Sequence, residues 1–248
     1  MRKYEKAPHP FIIEPPFERT QLYSSDDKIN FNLILIGRAI DYLPYFIYTF
    51  DELGRIGIGK YRGKYELKEV LSVESPQSHD EKTKPIYSSD TKALTPFDSI
   101  QLSINTERTD STIANSFLVT FNFLTPTRLV YKGKLVFELE FHIIIRNLLR
   151  RIALLYYFHS EGDPTLINFK ELIEKAEHIK LKETNLKWYD WQRYSKRQDV
   201  KMKLGGFIGA ITFEGNFSEF MPFIRAGEVL HLGKGTGFGL GKYDVEIH

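Results

Sequence analysis

The chain contains no cysteine among its 248 residues. Disulfide bridges, thiolate zinc sites and cysteine nucleophiles are therefore all excluded. An excess of one charge is also missing, because 34 basic and 32 acidic side chains leave a net charge of +2. The composition is 42% hydrophobic and 14% aromatic, which is typical of a globular protein. The length is sufficient for one large domain or two small ones, each with its own core.

Long apolar runs are absent as well. Residues 1–6 are polar and charged where a signal peptide needs an apolar segment. The most apolar stretches, residues 31–36 and 141–158, are too short or too charged to span a bilayer. We therefore expect a cytoplasmic protein with no membrane partner.

Positive charge is concentrated in the second half of the chain. Residues 128–151 carry six Lys or Arg side chains against two Glu. Residues 182–203 carry seven against three acidic side chains. This distribution says more about binding partners than the net charge does.

A glycine-rich stretch near the C-terminus is the most distinctive motif. Five glycines occupy every second position from Gly233 to Gly241, and Lys234 lies among them. Such a backbone is uncrowded, and consecutive N–H groups beside a cation favour phosphate binding. A glycine-rich hairpin or linker is the alternative. The apolar alternation over residues 243–247 favours a loop that leads into a terminal strand.

Two familiar nucleotide-binding motifs are not matched. In the G-x-G-x-x-G dinucleotide motif the sixth position is glycine, but here it is Leu240 or Lys242. Residues 54–61 approach the phosphate loop G-x-x-x-x-G-K-[ST], yet Tyr61 stands where a magnesium-binding hydroxyl is needed. A glycine-rich loop between a helix and a strand is the favoured interpretation, with ATP or GTP binding as the alternative.

Hydrophobic periodicity predicts a ferredoxin-like order of elements in the second half. The predicted elements are a strand over 117–123, helices over 141–158 and 163–178, strands over 187–194 and 200–213, a short helix over 216–227, the glycine-rich loop and a last strand. The strand over 200–213 is expected to be broken by Gly205-Gly206 and Gly209. The first half has a weaker version of the pattern, with a strand over 29–36, a helix over 38–53 and a strand over 65–73. Pro44 is expected to confine the regular part of that helix mostly to the residues after it.

Four segments carry a specific resemblance: Phe141-His-Ile-Ile-Ile-Arg-Asn-Leu-Leu-Arg-Arg151, Trp188-Tyr-Asp-Trp-Gln-Arg-Tyr-Ser-Lys-Arg-Gln198, Leu204-Gly-Gly-Phe-Ile-Gly209 and His231-Leu-Gly-Lys-Gly-Thr-Gly-Phe-Gly-Leu-Gly-Lys-Tyr243. With them the chain resembles the CRISPR-associated pre-crRNA-processing endoribonucleases of the RAMP superfamily. The resemblance implies an α+β fold of tandem ferredoxin-like (RRM-like) domains with antiparallel sheets and a C-terminal glycine-rich loop. We place a degenerate N-terminal domain at residues 1–115 and the C-terminal domain at residues 116–248.

The resemblance also implies metal-independent cleavage of CRISPR repeat RNA, with no cofactor. The 2′-hydroxyl attacks the adjacent phosphate and leaves a 2′,3′-cyclic phosphate and a 5′-hydroxyl. The implied partner is the repeat RNA (pre-crRNA), and other CRISPR effector-complex subunits and a homodimer stay open. Some members bind RNA without cutting it, so a non-catalytic repeat RNA-binding subunit of an interference complex is the alternative.

This chemistry needs a proton acceptor, a proton donor and cations, and histidine suits both proton transfers. His142 lies one helical turn before Arg146, and His231 directly precedes the glycine-rich loop. We predict His142, His231 and Arg146 as catalytic residues. For each histidine, a structural hydrogen bond within the fold is the alternative.

The other histidines are expected to have no part in catalysis. His9, His79 and His248 lie in termini or a loop, where solvation is expected. His159 and His178 lie at predicted helix ends, where a cation interacts favourably with the last turn.

The first helix departs from the pattern of the resembled family. Many members carry the catalytic histidine there, whereas residues 38–53 contain none. Tyr42 or Tyr45 could take its place.

Basic and aromatic residues interleave around Trp188, Trp191 and Tyr194, a pattern that can stack bases and hold phosphates. The alternative is that the tryptophans belong to the core and the arginines to a solvated face. We expect structural tryptophans, with Arg193 and Arg197 contacting RNA. The predicted RNA-binding residues are Gly233, Lys234, Gly235, Gly237, Gly239, Arg150, Arg193 and Arg197, and none is predicted to bind a metal.

Overall fold

The computed structural model describes residues 7–16, 22–59, 61–73, 82–102, 117–190, 192–195 and 200–248. Contacts divide the chain into two compact units. The first combines Met1–Gly37 with Ser103–His248, and the second comprises Arg38–Leu102. The predicted domain boundary after residue 115 lies outside the described residues and stays a prediction.

The N-terminal segment of the first unit contributes one antiparallel pair of strands. Strands β1 (Phe11–Glu14) and β2 (Asn32–Leu35) pair with Ile12 opposite Ile34. The side chains of Ile12 and Glu14 are buried, so β1 turns one apolar and one acidic group inward.

The second unit contains one α-helix and one antiparallel strand pair. A 3-10 helix (Gly37–Tyr42) leads into α1 (Leu43–Ile56), and β3 (Glu69–Val73) pairs with β4 (Thr83–Ser88). The expectation that Pro44 confines the regular part of the helix over 38–53 mostly to the residues after it is therefore confirmed. Pro44 lacks an N–H and fits only the first turn of an α-helix, so the α-helix begins beside it.

The rest of the first unit is a four-stranded sheet covered by helices. In chain order its elements are β5 (Phe117–Thr127), β6 (Val130–Tyr131), β7 (Lys134–Leu135), α2 (Phe141–His159), α3 (Phe169–Ala176), β8 (Lys180–Tyr189), β9 (Gln192–Ser195), β10 (Val200–Lys203), β11 (Gly206–Gly215), α4 (Met221–Leu230) and β12 (Tyr243–Ile247). The sheet is antiparallel with the order β12-β5-β11-β8. This is the predicted ferredoxin-like order, and it brings the C-terminal strand beside the first strand of the unit.

An aromatic core joins this sheet to its helices. Phe121 lies at the centre, with no exposed surface. Its ring contacts those of Phe141, Phe213 and Tyr243 at centroid distances of 6.3, 6.1 and 5.5 Å. Replacing a fully buried phenylalanine by alanine costs about 3–5 kcal/mol. The alternation of β5 and the apolar face of α2 thus meet as their periodicities predict.

Two of the predicted strands have different bounds. Strand β8 already begins at Lys180, but nearly all its side chains are exposed, so it lacks the apolar alternation of a half-buried strand. The strand predicted over 200–213 is broken at Gly205-Gly206 as expected, since β10 pairs with β9 in a hairpin and β11 begins at Gly206.

Two predicted helices also begin later than expected. Within the predicted helix over 163–178, the Asn168 side chain accepts from Glu171 N–H (3.3 Å) and starts α3 there. Asn216 was predicted to start the last helix, but its side chain accepts from Ser218 N–H (3.0 Å) in a preceding turn. The polar residue is present in both cases, and only the backbone decides whether it caps a turn or a helix.

Candidate nucleic-acid interface

The glycine-rich loop, residues 231–242, runs from the end of α4 to the start of β12. Main-chain hydrogen bonds fix it on both sides: Lys234 N–H donates to Arg128 O (3.1 Å) and Gly241 N–H to Pro126 O (3.2 Å). Within the loop, Leu232 N–H donates to Gly241 O (2.9 Å). The predicted loop leading into a terminal strand is confirmed, and the linker alternative does not apply.

Close packing explains some of the loop's glycines. Gly241 has a φ of 76°, and a Cβ there would overlap the carbonyl oxygen of Leu232. At Gly239 a Cβ would lie 2.8 Å from Ile13 O. The loop therefore needs these glycines to close on itself and on β1.

Gly237 is different. Its φ is not in the left-handed region, and the nearest atoms to an added Cβ are Phe11 O at 3.7 Å and two carbons of His9 at 3.9 Å. A methyl group would fit at this position without displacing any neighbour. The fold itself does not require glycine here.

The loop presents two large side chains to solvent. Lys234 is exposed, and Phe238 is 47% exposed. Among the glycines predicted to bind RNA, Gly233, Gly235 and Gly237 are partly exposed, whereas Gly239 is buried. A cation, an aromatic ring and accessible backbone therefore share one short segment.

His231 lies at the base of this loop and has no exposed surface. Its Nδ1 donates to Leu240 O (3.0 Å) and its Nε2 to Glu14 Oε1 (2.6 Å). Both ring nitrogens are therefore hydrogen-bonded inside the fold. This burial argues against proton transfer to RNA by His231 and favours the structural alternative.

Glu14 is the centre of this buried network, and the sequence did not single it out. Its Oε2 accepts from Lys242 Nζ and from Asn32 Nδ2, both at 2.9 Å. Burial alone would raise the pKa of Glu14. The hydrogen bonds that its carboxylate accepts, together with the nearby lysine charge, outweigh that cost and hold the pKa at about 2. An ionised carboxylate thus ties β1 and β2 to both ends of the loop.

His142 lies in the first turn of α2 and is 8% exposed. Its ring packs edge-on against Tyr131 (centroids 5.3 Å apart), and its Nδ1 is 3.4 Å from Glu140 Oε2. Its Nε2 is buried and has no hydrogen-bond partner among the described residues. The ring is therefore enclosed by the β6–β7 hairpin, and this position argues against direct contact with RNA.

Two α2 residues predicted to act on RNA, Arg146 and Arg150, differ in exposure. Arg146 lies over the Tyr131 ring (5.6 Å) and donates to Glu177 Oε1 (2.9 Å), so part of its charge is neutralised. Arg150 is exposed. The structure thus brings His142 and Arg146 together at one hairpin, as predicted, but it keeps His231 in a separate buried network.

Arg151 is a further buried cation that sequence reasoning did not select. It is 7% exposed, and its Nε donates to Leu230 O (2.7 Å), directly before His231. Burial lowers the pKa of Arg151 to about 10. The side chain joins α2 to the end of α4 and so helps to place the loop.

The predicted basic-aromatic strand is described only in part. Arg193 lies in β9, a strand of which the structure describes the backbone but not the side chains. Trp191 and Arg197 lie outside the described residues. Trp188 is 40% exposed, packs on Phe137 (5.1 Å) and donates from Nε1 to Asp190 Oδ1 (2.9 Å). Trp188 therefore belongs to the surface and not to the core.

The open face of the sheet does not resemble an RNA-stacking platform in its described part. On β5 and β11 its centre is polar, with Thr120 and Thr212 hydroxyls 2.9 Å apart. Beside them, Asn122 donates to Asp244 (2.8 Å) and to Glu246 (2.9 Å) of β12. RRM-type recognition stacks bases on aromatic side chains of the sheet, and carboxylates at that place repel phosphates.

His9 lies beside the loop, although the sequence suggested a solvated bystander. It is exposed, its ring is 5.5 Å from that of Phe11, and its Cβ and Cδ2 approach Gly237. The prolines on either side were the available signal, because they indicate a rigid segment. In the second unit, Tyr42 and Tyr45 are exposed, at 58% and 68%.

Two known protein families match parts of the chain. Residues 121–243 match the family described as CRISPR-associated endoribonuclease Cas6, and residues 1–99 match a family described as an N-terminal domain. This part of the chain, residues 121–243, belongs to the Cas6 family. No curated protein matches it in sequence.

Two solved structures show the likeness of fold. A Thermus thermophilus Cas6 product complex aligns with a TM-score of 0.54 at 16% identity, covering 98% of this chain and 84% of that one. A partial Cas6-RT-Cas1–Cas2 complex aligns with a TM-score of 0.58 at 12% identity and covers 96% of this chain. This chain spans 39% of the length of that second relative. The predicted α+β fold of tandem ferredoxin-like domains is confirmed.

Proposed function

We propose that this chain is a metal-independent endoribonuclease that cleaves CRISPR repeat RNA to produce mature crRNA. One observation carries the proposal. In a chain that matches the Cas6 family, the glycine-rich loop is held by main-chain hydrogen bonds on both sides and leaves free space beside the backbone of Gly237. A glycine that its own fold does not require indicates that something outside the fold approaches there. An RNA phosphate with its ribose fits that description, because backbone N–H groups beside a lysine bind anions.

The exposed groups of the loop suit a single RNA strand. Lys234 supplies charge for a phosphate, and the Phe238 ring offers a surface on which a base can stack. The main chain of Arg128 holds Lys234, so the turn after β5 lies directly beside the loop. Farther along, Lys132 and Arg146 lie at 5.0 and 5.6 Å from the Tyr131 ring centroid. We assign binding of the RNA backbone to these cationic side chains, Lys234, Lys132 and Arg146, together with Arg150 on α2.

The proposed reaction is attack of a ribose 2′-hydroxyl on the adjacent phosphate. The 2′-oxygen bonds to phosphorus, the bond to the 5′-oxygen breaks, and the products are a 2′,3′-cyclic phosphate and a 5′-hydroxyl. We assign stabilisation of the negative charge on the phosphorane to Lys234 and Arg146. His142 and His231 are buried, and we assign them to holding the hairpin and the loop that bind the RNA.

The location of the protein and its protein partners are predicted from the sequence alone. In the described part of the chain no helix has the length and apolar character needed to cross a membrane. A cytoplasmic location, a homodimer and binding to other CRISPR subunits stay predictions.

The test uses the purified chain and a radiolabelled RNA of its own CRISPR repeat, in buffer containing EDTA. We expect one cut per repeat and a product that carries a 2′,3′-cyclic phosphate. The same RNA with a single 2′-deoxyribose before the cut should bind equally well and stay intact, because the attacking group is missing. Tight binding without any cleavage would instead support the non-catalytic subunit, and cleavage that EDTA abolishes would contradict the proposed mechanism.

A further inference from the structure

We infer that His9 is a catalytic residue of this chain, the general base that removes the proton from the attacking 2′-hydroxyl. The inference rests on the proposed function and goes beyond it by naming the side chain that moves the proton. Its basis is the position of His9 beside Gly237, where the loop is open.

The position of His9 is fixed by its neighbours in the chain. Pro8 O accepts a hydrogen bond from His159 Nε2 (2.7 Å), and Ile36 N–H donates to Pro10 O (2.9 Å). Pro10 also restricts the backbone of His9 to extended conformations. An exposed side chain on a segment anchored on both sides is pre-organised, and an active-site base needs this property.

The ring is adjacent to the place where the loop can receive a phosphate. A methyl group built on Gly237 would lie 3.9 Å from both Cβ and Cδ2 of His9. A nucleotide seated against Gly237 would therefore come within contact distance of the imidazole. Phe11 beside His9 and Phe238 of the glycine-rich loop provide aromatic rings on which the flanking bases can stack.

The surroundings of His9 leave its ring available as a proton acceptor. Phe11 of β1 and Gly237 of the loop lie beside it, and no carboxylate or carbonyl of the described residues is hydrogen-bonded to its ring. Lys234 lies on the same loop as Gly237, and His159 Nε2 donates to Pro8 O, next to His9 in the chain. His231, in contrast, is enclosed, and both of its ring nitrogens are hydrogen-bonded within the fold.

The other described histidines are less well placed. His142 and His231 are buried, and His159 Nε2 is already bonded to Pro8 O. His248 lies 3.7 Å from Glu246 at the end of β12. In the described part of the chain, His9 is therefore the one exposed histidine beside the loop.

The step balances without a further reactant. The imidazole takes the 2′-hydroxyl proton while the 2′-oxygen bonds to phosphorus and the bond from phosphorus to the 5′-oxygen breaks. The 5′-oxygen leaves with a proton from water, and the imidazolium returns its proton to solvent.

The experiment compares single-turnover cleavage of the repeat RNA by wild type, His9→Ala and the matched control His178→Ala. His178 is exposed, follows α3 and is not part of the loop. We expect saturating RNA to be cut at least ~100-fold more slowly by His9→Ala, the typical loss for a general base, while RNA affinity changes little. Added imidazole should restore part of the rate, and the fall in wild-type rate at low pH should disappear in the variant.

The outcomes separate this inference from the proposed function. If wild type cleaves and His9→Ala cleaves as fast at saturating RNA, the role of His9 is wrong and the endoribonuclease proposal stands. A variant that loses only affinity likewise overturns the catalytic role. If wild type itself does not cut its repeat, the proposed function fails. A melting curve of His9→Ala that matches wild type shows that any loss of rate is not a loss of fold.

Discussion

Gly237 and its neighbouring glycines look alike in the sequence but have different surroundings. Gly233, Gly239 and Gly241 have positive φ, and a Cβ at each would meet backbone atoms. Gly237 has an ordinary φ and room for a methyl group. The histidines divide in the same way, since His142 and His231 are enclosed and His9 is not.

The substitution Gly237→Ala separates folding from binding. We expect an unchanged melting temperature and roughly tenfold weaker binding of repeat RNA, because the methyl group displaces the phosphate and costs one charge-assisted hydrogen bond. The matched control is Gly63→Ala in the second unit, where the nearest atom to a Cβ is 3.9 Å away. Filter binding and thermal melting of both variants measure the two effects. Wild-type affinity in Gly237→Ala would remove the argument that RNA approaches there.

The substitution His142→Phe tests whether the buried ring has a structural role. Phenylalanine keeps an aromatic ring beside Tyr131 and removes the buried nitrogen that has no partner. We expect stability equal to or above wild type, since an unsatisfied buried group costs about 1–3 kcal/mol. Single-turnover cleavage should stay near the wild-type rate. A loss of ~100-fold in rate would instead restore His142 as a proton-transfer residue.

At the scale of elements, the glycine-rich loop depends on strands far away in sequence. β1 and β2 supply Glu14 and Asn32, and the loop and its end supply His231 and Lys242. The turn after β5 and the side chain of Arg151 hold the same region from other sides. The loop is therefore rigid because four separate segments meet on it, and not because of its own sequence.

The ionisation of Glu14 gives this network a pH dependence. The pKa of Glu14 is lowered from 4.5 to about 2 in the folded chain. Its contribution to the free energy of unfolding is therefore complete above about pH 4.5 and is lost as the pH falls toward 2. We expect Glu14→Gln to be about 3 kcal/mol less stable at pH 7, because it removes the buried carboxylate to which His231 and Lys242 donate.

Urea unfolding of wild type and Glu14→Gln at several pH values measures this effect. The difference between the two proteins should shrink as the pH falls from 4.5 to 2. Glu171→Gln is the control, because Lys175 also lowers the pKa of Glu171 but the group is exposed. A difference between wild type and Glu14→Gln that is constant over this range would contradict the assigned pKa.

At the scale of the whole molecule, nearly balanced charge coexists with a locally basic surface. The net charge is only +2, and the open face of the sheet carries Asp244 and Glu246. Lys132, Arg146, Arg150 and Lys234 lie instead on the hairpin, on α2 and on the loop. RNA binding should therefore be strongly electrostatic but confined to one side of this unit.

The salt dependence of RNA binding measures that surface. Lys234→Ala should weaken binding and reduce the slope of log affinity against log salt by about 0.7–0.9, one released counterion. Lys170→Ala is the control, since Lys170 is exposed on α3 and pairs with Glu174. Its slope should equal that of wild type. Equal slopes for all three proteins would show that Lys234 does not contact phosphate.

Much of the architecture followed from periodicity, because burial of alternate residues in β5 and β12 and of one face of α2 leaves a repeating pattern. The α+β class, the element order and the position of the loop were all predicted. Strand β8 was misplaced, since its exposed side chains carry no such pattern. Helices α3 and α4 were predicted too early, because a capping residue looks the same whether it starts a turn or a helix.

The amino-acid sequence by itself determined the fold class, the absence of cysteine chemistry and the position of the glycine-rich loop before the last strand. These properties depend on residue type and short-range spacing. Only the tertiary structure decided which histidine is enclosed and which lies beside Gly237, and that Glu14 holds the loop. Such facts depend on contacts between residues more than 200 positions apart, such as Glu14 and His231 (separation 217). Hydrogen bonding and burial across that separation leave no local pattern to read.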